Sequence, residues 1–176
     1  MLSYGRIFSI DLYGTLYLVD PKTGAGKALG ATGIPVPDWS DPQAVFSNGF
    51  TNIGNELYYL WGGQDSTHTI HMHLYRIDPD TYVAYDIGPA GTDAITSLGA
   101  VQGRLFSSLL DPQTFAPVAI AEVNRLTGKA TVYQHVSPDQ DLILAFGDTP
   151  EPAARALPSV PAMRIPALQR VHRNNQ

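Results

Sequence analysis

One short stretch of the sequence, HTIHMH, combines side chains that commonly bind metal ions. His71 and His73 alternate along a predicted strand, so both side chains lie on one face of it, and His68 precedes them in the adjoining loop. Three imidazoles, with Asp65 as a fourth ligand, would suit Zn²⁺ or another divalent ion. The alternative is an exposed strand face that binds no cofactor.

A second group of candidate side chains lies in connections of irregular length. A tryptophan beside carboxylates and amides commonly holds a sugar or another small polar ligand, by ring stacking and a few directed hydrogen bonds. The predicted ligand-binding residues are Asp38, Trp39, Asp41, Trp61, Gln64, Asp65 and Asp111. The alternative is that the two tryptophans pack their loops onto the underlying strands.

The sequence contains no complete catalytic motif of the P-loop or nucleophile-elbow kind. The Gly-Lys pair in GAGKALG lacks the spacing and the following hydroxyl residue of a P-loop, and no Gly-x-Ser-x-Gly elbow occurs. Asp38 and Asp41 could pair for acid–base chemistry, but a proline-rich loop does not fix their geometry. We therefore assign no catalytic residue, and no cofactor other than the divalent metal ion considered above.

Composition narrows the class of protein. The 176 residues are 44% hydrophobic and 15% charged, which is typical of a globular chain, and 16 glycines with 14 prolines indicate many turns. There is no cysteine, which excludes disulfides and thiolate sites. The net charge of −5 argues against a nucleic-acid partner. No apolar run is long enough to span a membrane, and no signal peptide is visible.

A strand-and-turn segment recurs along the chain. LYLVDPKTG (16–24) matches LYRIDPDTY (74–82) and, less closely, IAEVNRLTG (120–128). Asp or Asn at the first turn position can accept a backbone N–H, proline presets φ at the second, and glycine supplies the left-handed residue that closes the turn. Tyr82 stands in place of this glycine, which predicts a differently built turn.

The sequences around this segment recur as well. Arg6, Glu56 and Arg104 open equivalent segments, 50 and 48 residues apart. Four short strands in each unit of this length are typical of a β-propeller blade. The order A-x-x-S-x-G, G-[RN]-L-[FY], LY-x-[VI]-D-P-x-T-G resembles blades of the YVTN/NHL/PQQ-like group of β-propellers, which are WD40-like in architecture. The resemblance covers residues 5–146 and implies an all-β array of four-stranded antiparallel blades.

The strands fill about three blades. The first blade begins at its second strand, two complete blades follow, and residues 142–146 form a last inner strand. Since propellers have four to eight blades, we expect a fragment of a longer protein or a homodimer that closes six blades; an irregular sandwich or open curved sheet is a third possibility. Residues 1–148 are predicted to form the repeat domain, and 149–176 a proline-rich, basic, disordered tail.

Function is predicted from where the units differ. The long connections 33–43, 61–69 and 111–117 all fall on one face of the predicted array, and function in repeat scaffolds lies in such loops. We expect a non-catalytic module that binds a protein or a small polar ligand through this face. The alternatives are a fragment of a propeller-scaffold enzyme of the hydrolase, lyase or quinoprotein type, and a truncated product without independent function. The resemblance slightly favours an extracytoplasmic or secreted location.

Overall fold

A computed structural model of the protein describes residues 2–3, 6–36, 46–64, 70–92, 94–111, 113–114 and 116–136. These residues form twelve β-strands and no helix, so the predicted all-β class is confirmed. No helix of the described ranges is long and apolar enough to cross a membrane. The predicted last strand at 142–146 and the predicted tail at 149–176 lie outside the described residues.

The strands pair with their neighbours in sequence and form three antiparallel sheets of four strands. Sheet one contains β1 (Leu2–Ser3), β2 (Arg6–Ile10), β3 (Thr15–Val19) and β4 (Gly26–Ala31). Sheet two contains β5 (Phe46–Ile53), β6 (Glu56–Gln64), β7 (Ile70–Ile77) and β8 (Ala84–Pro89). Sheet three contains β9 (Ile95–Val101), β10 (Arg104–Leu110), β11 (Pro117–Val123) and β12 (Ala130–His135).

Sheet one has one strand more than the sequence predicts. The two-residue strand β1 pairs Leu2 with Ile7 and Ser3 with Arg6, and so occupies the edge of the sheet beside β2. Such a short strand carries no alternation of apolar and polar residues, which is why the pattern did not reveal it.

The three sheets have the same turn between their third and fourth strands. Asp20 accepts hydrogen bonds from the N–H of Lys22 (2.8 Å) and the hydroxyl of Thr23 (2.9 Å). Asp78 and Asn124 each accept two backbone N–H groups, from the residues two and three positions further on. The predicted turn chemistry is confirmed.

Tyr82 corrects one expectation about these turns. Its φ of 66° lies in the left-handed region, beside 73° for Gly24 and 76° for Gly128 at the equivalent positions. Its N–H donates to the carbonyl of Asp78 (2.8 Å), as the N–H of Gly24 does to Asp20. The second turn is therefore built like the others. A left-handed backbone is unfavourable for tyrosine, and packing of the Tyr82 ring against the apolar cluster between sheets one and two compensates for this cost.

The turn carboxylates should contribute to acid denaturation. Backbone N–H groups, foremost those of Lys22 and of Thr81, lower the pKa of Asp20 and of Asp78 respectively below the usual value. A lowered folded-state pKa gives stability that is present above the unfolded pKa and lost as the pH falls through the folded value. We expect the double variant Asp20→Asn/Asp78→Asn to lose less Tm than the wild type between pH 7 and pH 2.5.

The turn of sheet three supplies the matched control for this experiment. Asn124 accepts the same N–H groups without titrating, so Asn124→Asp should increase the loss of Tm in acid. Circular dichroism measures the Tm of each protein at both pH values. An equal loss of Tm in all three proteins would show that these turns do not contribute to acid denaturation.

Sheet two lies between the other two sheets and is covered on both faces. Because side chains alternate along a strand, Leu57, Tyr59 and Trp61 pack against Phe8 and Leu16 of sheet one. The intervening residues of sheet two face the other way, into a second apolar cluster with sheet three. That cluster contains Tyr58, Leu60, Met72, Leu74, Ala90, Ile95, Leu98, Ala100, Leu105 and Val123.

The first strands of sheets two and three approach each other closely at Gly49. A Cβ atom at this position would lie 2.1 Å from the backbone nitrogen of Leu98. Ser97, beside it, has a φ of 65° and lies at an irregularity in the pairing of β9 with β10. This backbone contact requires glycine in β5.

The connections differ systematically between the two ends of each sheet. At one end, here called the turn end, lie 54–55 and 102–103 together with the three equivalent turns described above. At the other end, here called the loop end, lie the strand ends that flank the variable connections 11–14, 32–45, 65–69, 90–94 and 111–116 in the sequence. The strand order therefore puts the long connections predicted from the sequence at the loop ends of their sheets.

Candidate functional site

The described residues contain part of the predicted ligand site. Asp38, Trp39, Asp41 and Asp65 lie outside the described residues. Gln64 is the last residue of β6, at the loop end of sheet two. Trp61 and Asp111 are described with their side chains, and both side chains are engaged within the protein.

Trp61 is a buried side chain that joins sheet two to the connection after β4. It is 3% exposed, its ring stacks on that of Tyr59 with centroids 5.6 Å apart, and its Nε1–H donates to the carbonyl oxygen of Pro35 at 2.6 Å. Stacking of a ligand on this indole would require residues 32–36 to move away.

The start of this connection is fixed at several points. The N–H and the hydroxyl of Thr32 both donate to the carbonyl of Gly14, at 2.8 and 2.7 Å. Ile34 is 6% exposed and belongs to the apolar cluster between sheets one and two. Residues 32–34 are therefore held against the loop end of sheet one by hydrogen bonds and by burial of Ile34.

The turn between β2 and β3 is organised by a carboxylate that the sequence analysis did not single out. Asp11 accepts the N–H groups of Tyr13 (2.9 Å) and Thr15 (2.8 Å) and the hydroxyl of Tyr17 (2.9 Å). The last of these bonds raises the pKa of the Tyr17 hydroxyl above its usual value. The carboxylate fixes the turn and leaves the side chain of Tyr13 67% exposed.

Exposed apolar side chains gather at this corner of the molecule. Leu12 is 40% exposed and Val36 42%, and a Cβ on Gly14 would lie 3.8 Å from Val36 Cγ1, which places the turn and the connection side by side. We call Leu12, Tyr13 and Val36 the Tyr13 patch. The sequence analysis missed it because DLYG is the shortest of these connections, and loop length was the signal used there.

Asp111 has the same role in sheet three as Asp11 in sheet one. Its Oδ1 accepts the N–H of Gln113 (2.9 Å) and both the N–H (2.8 Å) and hydroxyl (3.1 Å) of Thr114. These bonds, foremost that from the N–H of Thr114, lower the pKa of Asp111. A ligand could use the other carboxylate oxygen without breaking this turn.

The histidines of β7 occupy its face toward sheet one. Nδ1 of His73 lies 2.9 Å from Oδ2 of Asp86, and its ring stacks on Tyr75 with centroids 6.3 Å apart. His71 is exposed two residues earlier, while His68 and Asp65 lie outside the described residues. No group of three or more metal-ligating side chains occurs within the described ranges. The metal site remains a prediction.

A charged groove of about 480 Å³ lies at the turn end, between sheets two and three. Glu56 accepts the hydroxyl of Tyr58 (2.8 Å) and pairs with Arg76 (3.3 Å) and with Arg125 of the neighbouring sheet (3.9 Å). Burial, and then Glu56, raises the pKa of Tyr58 to about 12. Sequence reasoning missed this groove because it joins residues from three separate strands and turns.

Among the described residues, the acidic and tyrosine side chains with shifted pKa values have those values moved further from pH 7. Hydrogen bonds lower the pKa values of Asp20, Asp78, Asp111 and Glu122. Burial is the main cause that raises the pKa of Tyr75 to about 12. Groups of this kind hold turns and ion pairs in one charge state, whereas a general acid or base works best with a pKa near the operating pH.

No protein-family model matches the sequence, and a search of curated proteins likewise finds no match.

Proposed function

We propose that the chain is a β-propeller-type repeat module in which sheets one, two and three are consecutive blades. Its support is a set of features that recur at equivalent positions. In each sheet the pairing of the third with the fourth strand shifts register at the same place, after Leu16, Leu74 and Ile120. A β-bulge at one fixed position in every unit is typical of a repeated structure.

The contacts between sheets support the same proposal. The N–H of Ala84, the first residue of β8, donates to the carbonyl of Thr32, the residue after β4 (2.9 Å). The N–H of Ala130, the first residue of β12, donates to the carbonyl of Ala90, the residue after β8 (2.9 Å). Both neighbouring pairs of sheets thus have one and the same backbone link between their outer strands, which a sandwich of two sheets would not repeat.

The function we propose for this module is non-catalytic binding of a protein or a small polar ligand at its loop end. The observation that supports it most is the Tyr13 patch, an exposed aromatic ring on a turn fixed by Asp11. An aromatic ring carried on a fixed turn offers a flat apolar surface on which a sugar or a side chain of a partner protein can stack.

The test of this function uses immobilised oligosaccharides as probes, followed by calorimetric titration of those that bind. We expect binding that Tyr13→Ala weakens about tenfold, the effect of losing one stacking ring. Because Tyr13 is exposed, the variant should fold as the wild type does.

Leu126→Ala is the matched control, since Leu126 is 86% exposed in a turn at the turn end. It should leave the affinity unchanged. Equal loss of affinity in both variants would place the ligand elsewhere, and binding of none of the oligosaccharides would contradict the small-ligand part of the proposal.

A further inference from the structure

We propose that a second copy of this chain docks head to tail, with the outer face of its sheet one against the outer face of sheet three. This inference rests on the proposed equivalence of the three sheets. Sheet one packs on sheet two through the same face that sheet two presents to sheet three. Sheet three has that face as well, and no sheet of the described residues covers it.

The fourth residue of the second strand identifies the receiving face. This residue is Tyr59 in sheet two and Ser107 in sheet three, which are 3% and 0% exposed on the faces toward the preceding sheets. In sheet one it is Ser9, which is exposed. The outer face of sheet one is thus the equivalent of two faces that each receive a neighbouring sheet, and at Ser9 it is open to solvent.

The third strand identifies the opposite face. Leu16 and Leu74 stand three residues before its end, and both are 0% exposed beneath the following sheet. Ile120 holds this position in sheet three and is only partly buried. Phe106, next to it on the outer face, is 7% exposed because its own sheet covers it, with the ring of Tyr133 at 5.3 Å and the guanidinium of Arg104 at 5.1 Å. Ile120 and the ring of Tyr133, which is 54% exposed, leave apolar surface on this face that is suited to burial against another sheet.

The backbone supplies a directional link for the same contact. The N–H of Val136 donates to the carbonyl of Val118 in the third strand of its sheet (3.0 Å). The equivalent bonds run from Thr32 to Gly14, just before β3, and from Ala90 to Met72 in β7. This bond places the carbonyl of Val136 where Thr32 and Ala90 accept the N–H of the next sheet. In a second copy the equivalent donor is the N–H of Gly26, the first residue of β4.

The spacing between the two copies should follow that between sheets one and two. Gln134 of sheet three stands where the other sheets have Gly30 and Gly88. A Cβ on Gly30 would be in ordinary contact with Tyr82, at 3.6 Å, whereas a Cβ on Gly88 would lie 2.8 Å from the carbonyl of Thr127. A side chain at Gln134 therefore fits the first spacing and not the second.

Head-to-tail contacts either close into a ring or continue as a filament. Two copies bring six sheets together, which lies within the four to eight blades of closed propellers. We therefore assign a closed dimer in which each sheet three contacts the partner's sheet one. A closed ring also removes the two open faces that would otherwise promote further association.

Size-exclusion chromatography with light scattering tests this assembly on the full chain. We expect a mass twice that of one chain, and we expect Ser9→Arg to raise the dimer dissociation constant at least about 100-fold, because the contact would bury an unpaired charge. The matched control is Asn55→Arg, which makes the same charge change at an exposed turn residue between β5 and β6 and should leave the dimer intact.

Mixing two variants distinguishes head-to-tail contact from any other arrangement. Ile120→Arg should also give monomers, with the exposed Gln134→Arg as a second variant should the first not fold. A mixture of Ser9→Arg with either one retains one intact pair of faces, so dimers should reappear at weaker affinity. Neither variant alone should form them.

Four results would overturn the assembly. They are a wild-type monomer at the highest soluble concentration, open polymers of rising mass, a dimer unaffected by Ser9→Arg, and no recovery on mixing. A wild-type monomer would show that these two faces do not pair between copies of the chain. Oligosaccharide binding by such a monomer would still support the proposed function, so the two failures are distinguishable.

Discussion

Gly49→Ala should be strongly destabilising, with a loss of about 3 kcal/mol or more in the free energy of unfolding. The added Cβ would lie 2.1 Å from the nitrogen of Leu98, 2.2 Å from the carbonyl carbon of Ser97 and 2.7 Å from Leu98 Cβ. Two of these atoms are backbone, so no side-chain rotation can relieve the overlap. The strands β5 and β9 would have to separate.

Gly54→Ala is the control for this experiment. Gly54 has a φ of 56°, with no atom within 4 Å of a Cβ placed there, so alanine brings only the cost of a left-handed backbone, about 1 kcal/mol. Denaturant titration of both variants measures the difference. Equal stabilities would show that sheets two and three do not approach as described.

Gly128→Ala should cost at least about 2 kcal/mol more than Gly24→Ala. The two glycines hold the same position of the same turn, with φ values of 76° and 73°, so the backbone cost of alanine is equal in both. A Cβ on Gly24 would meet nothing within 4 Å, whereas one on Gly128 would lie 2.3 Å from the carbonyl oxygen of Gly88. The difference isolates the contact between sheets two and three.

The midpoints of urea unfolding measure this difference directly. Similar midpoints for the two alanine variants would mean that the turn of sheet three does not rest on β8. A large loss for Gly24→Ala would instead show that the turn of sheet one is packed against something outside the described residues.

The features that could be predicted from the sequence are those that neighbouring residues determine. Asp20, Asp78 and Asn124 accept N–H groups only two or three residues away, so a short segment of sequence determines the turn. The strands between such turns follow from alternation. The all-β class and the pairing of successive strands needed no knowledge of distant contacts.

The features that could not be predicted depend on residues far apart in sequence. Tyr82 adopts a left-handed backbone because its ring packs on another sheet, which the turn pattern does not contain. Trp61 is buried in the apolar cluster between sheets one and two, and its indole N–H donates to the carbonyl of Pro35, 26 residues earlier in the chain. Tyr13 is exposed because Asp11 holds its turn, although that turn is too short to attract notice as a loop. A sequence pattern names the residue types, but the partners decide which side chain reaches solvent.

The bond from Trp61 to Pro35 gives the protein a built-in optical probe. The sequence contains only two tryptophans, so replacing Trp39 with phenylalanine would leave one emitter, buried and hydrogen-bonded beneath residues 32–36. Detachment of that segment would expose the indole to water and shift its emission to longer wavelength, while far-ultraviolet circular dichroism still reports intact strands. Local opening at the loop end can thus be followed separately from unfolding of the sheets.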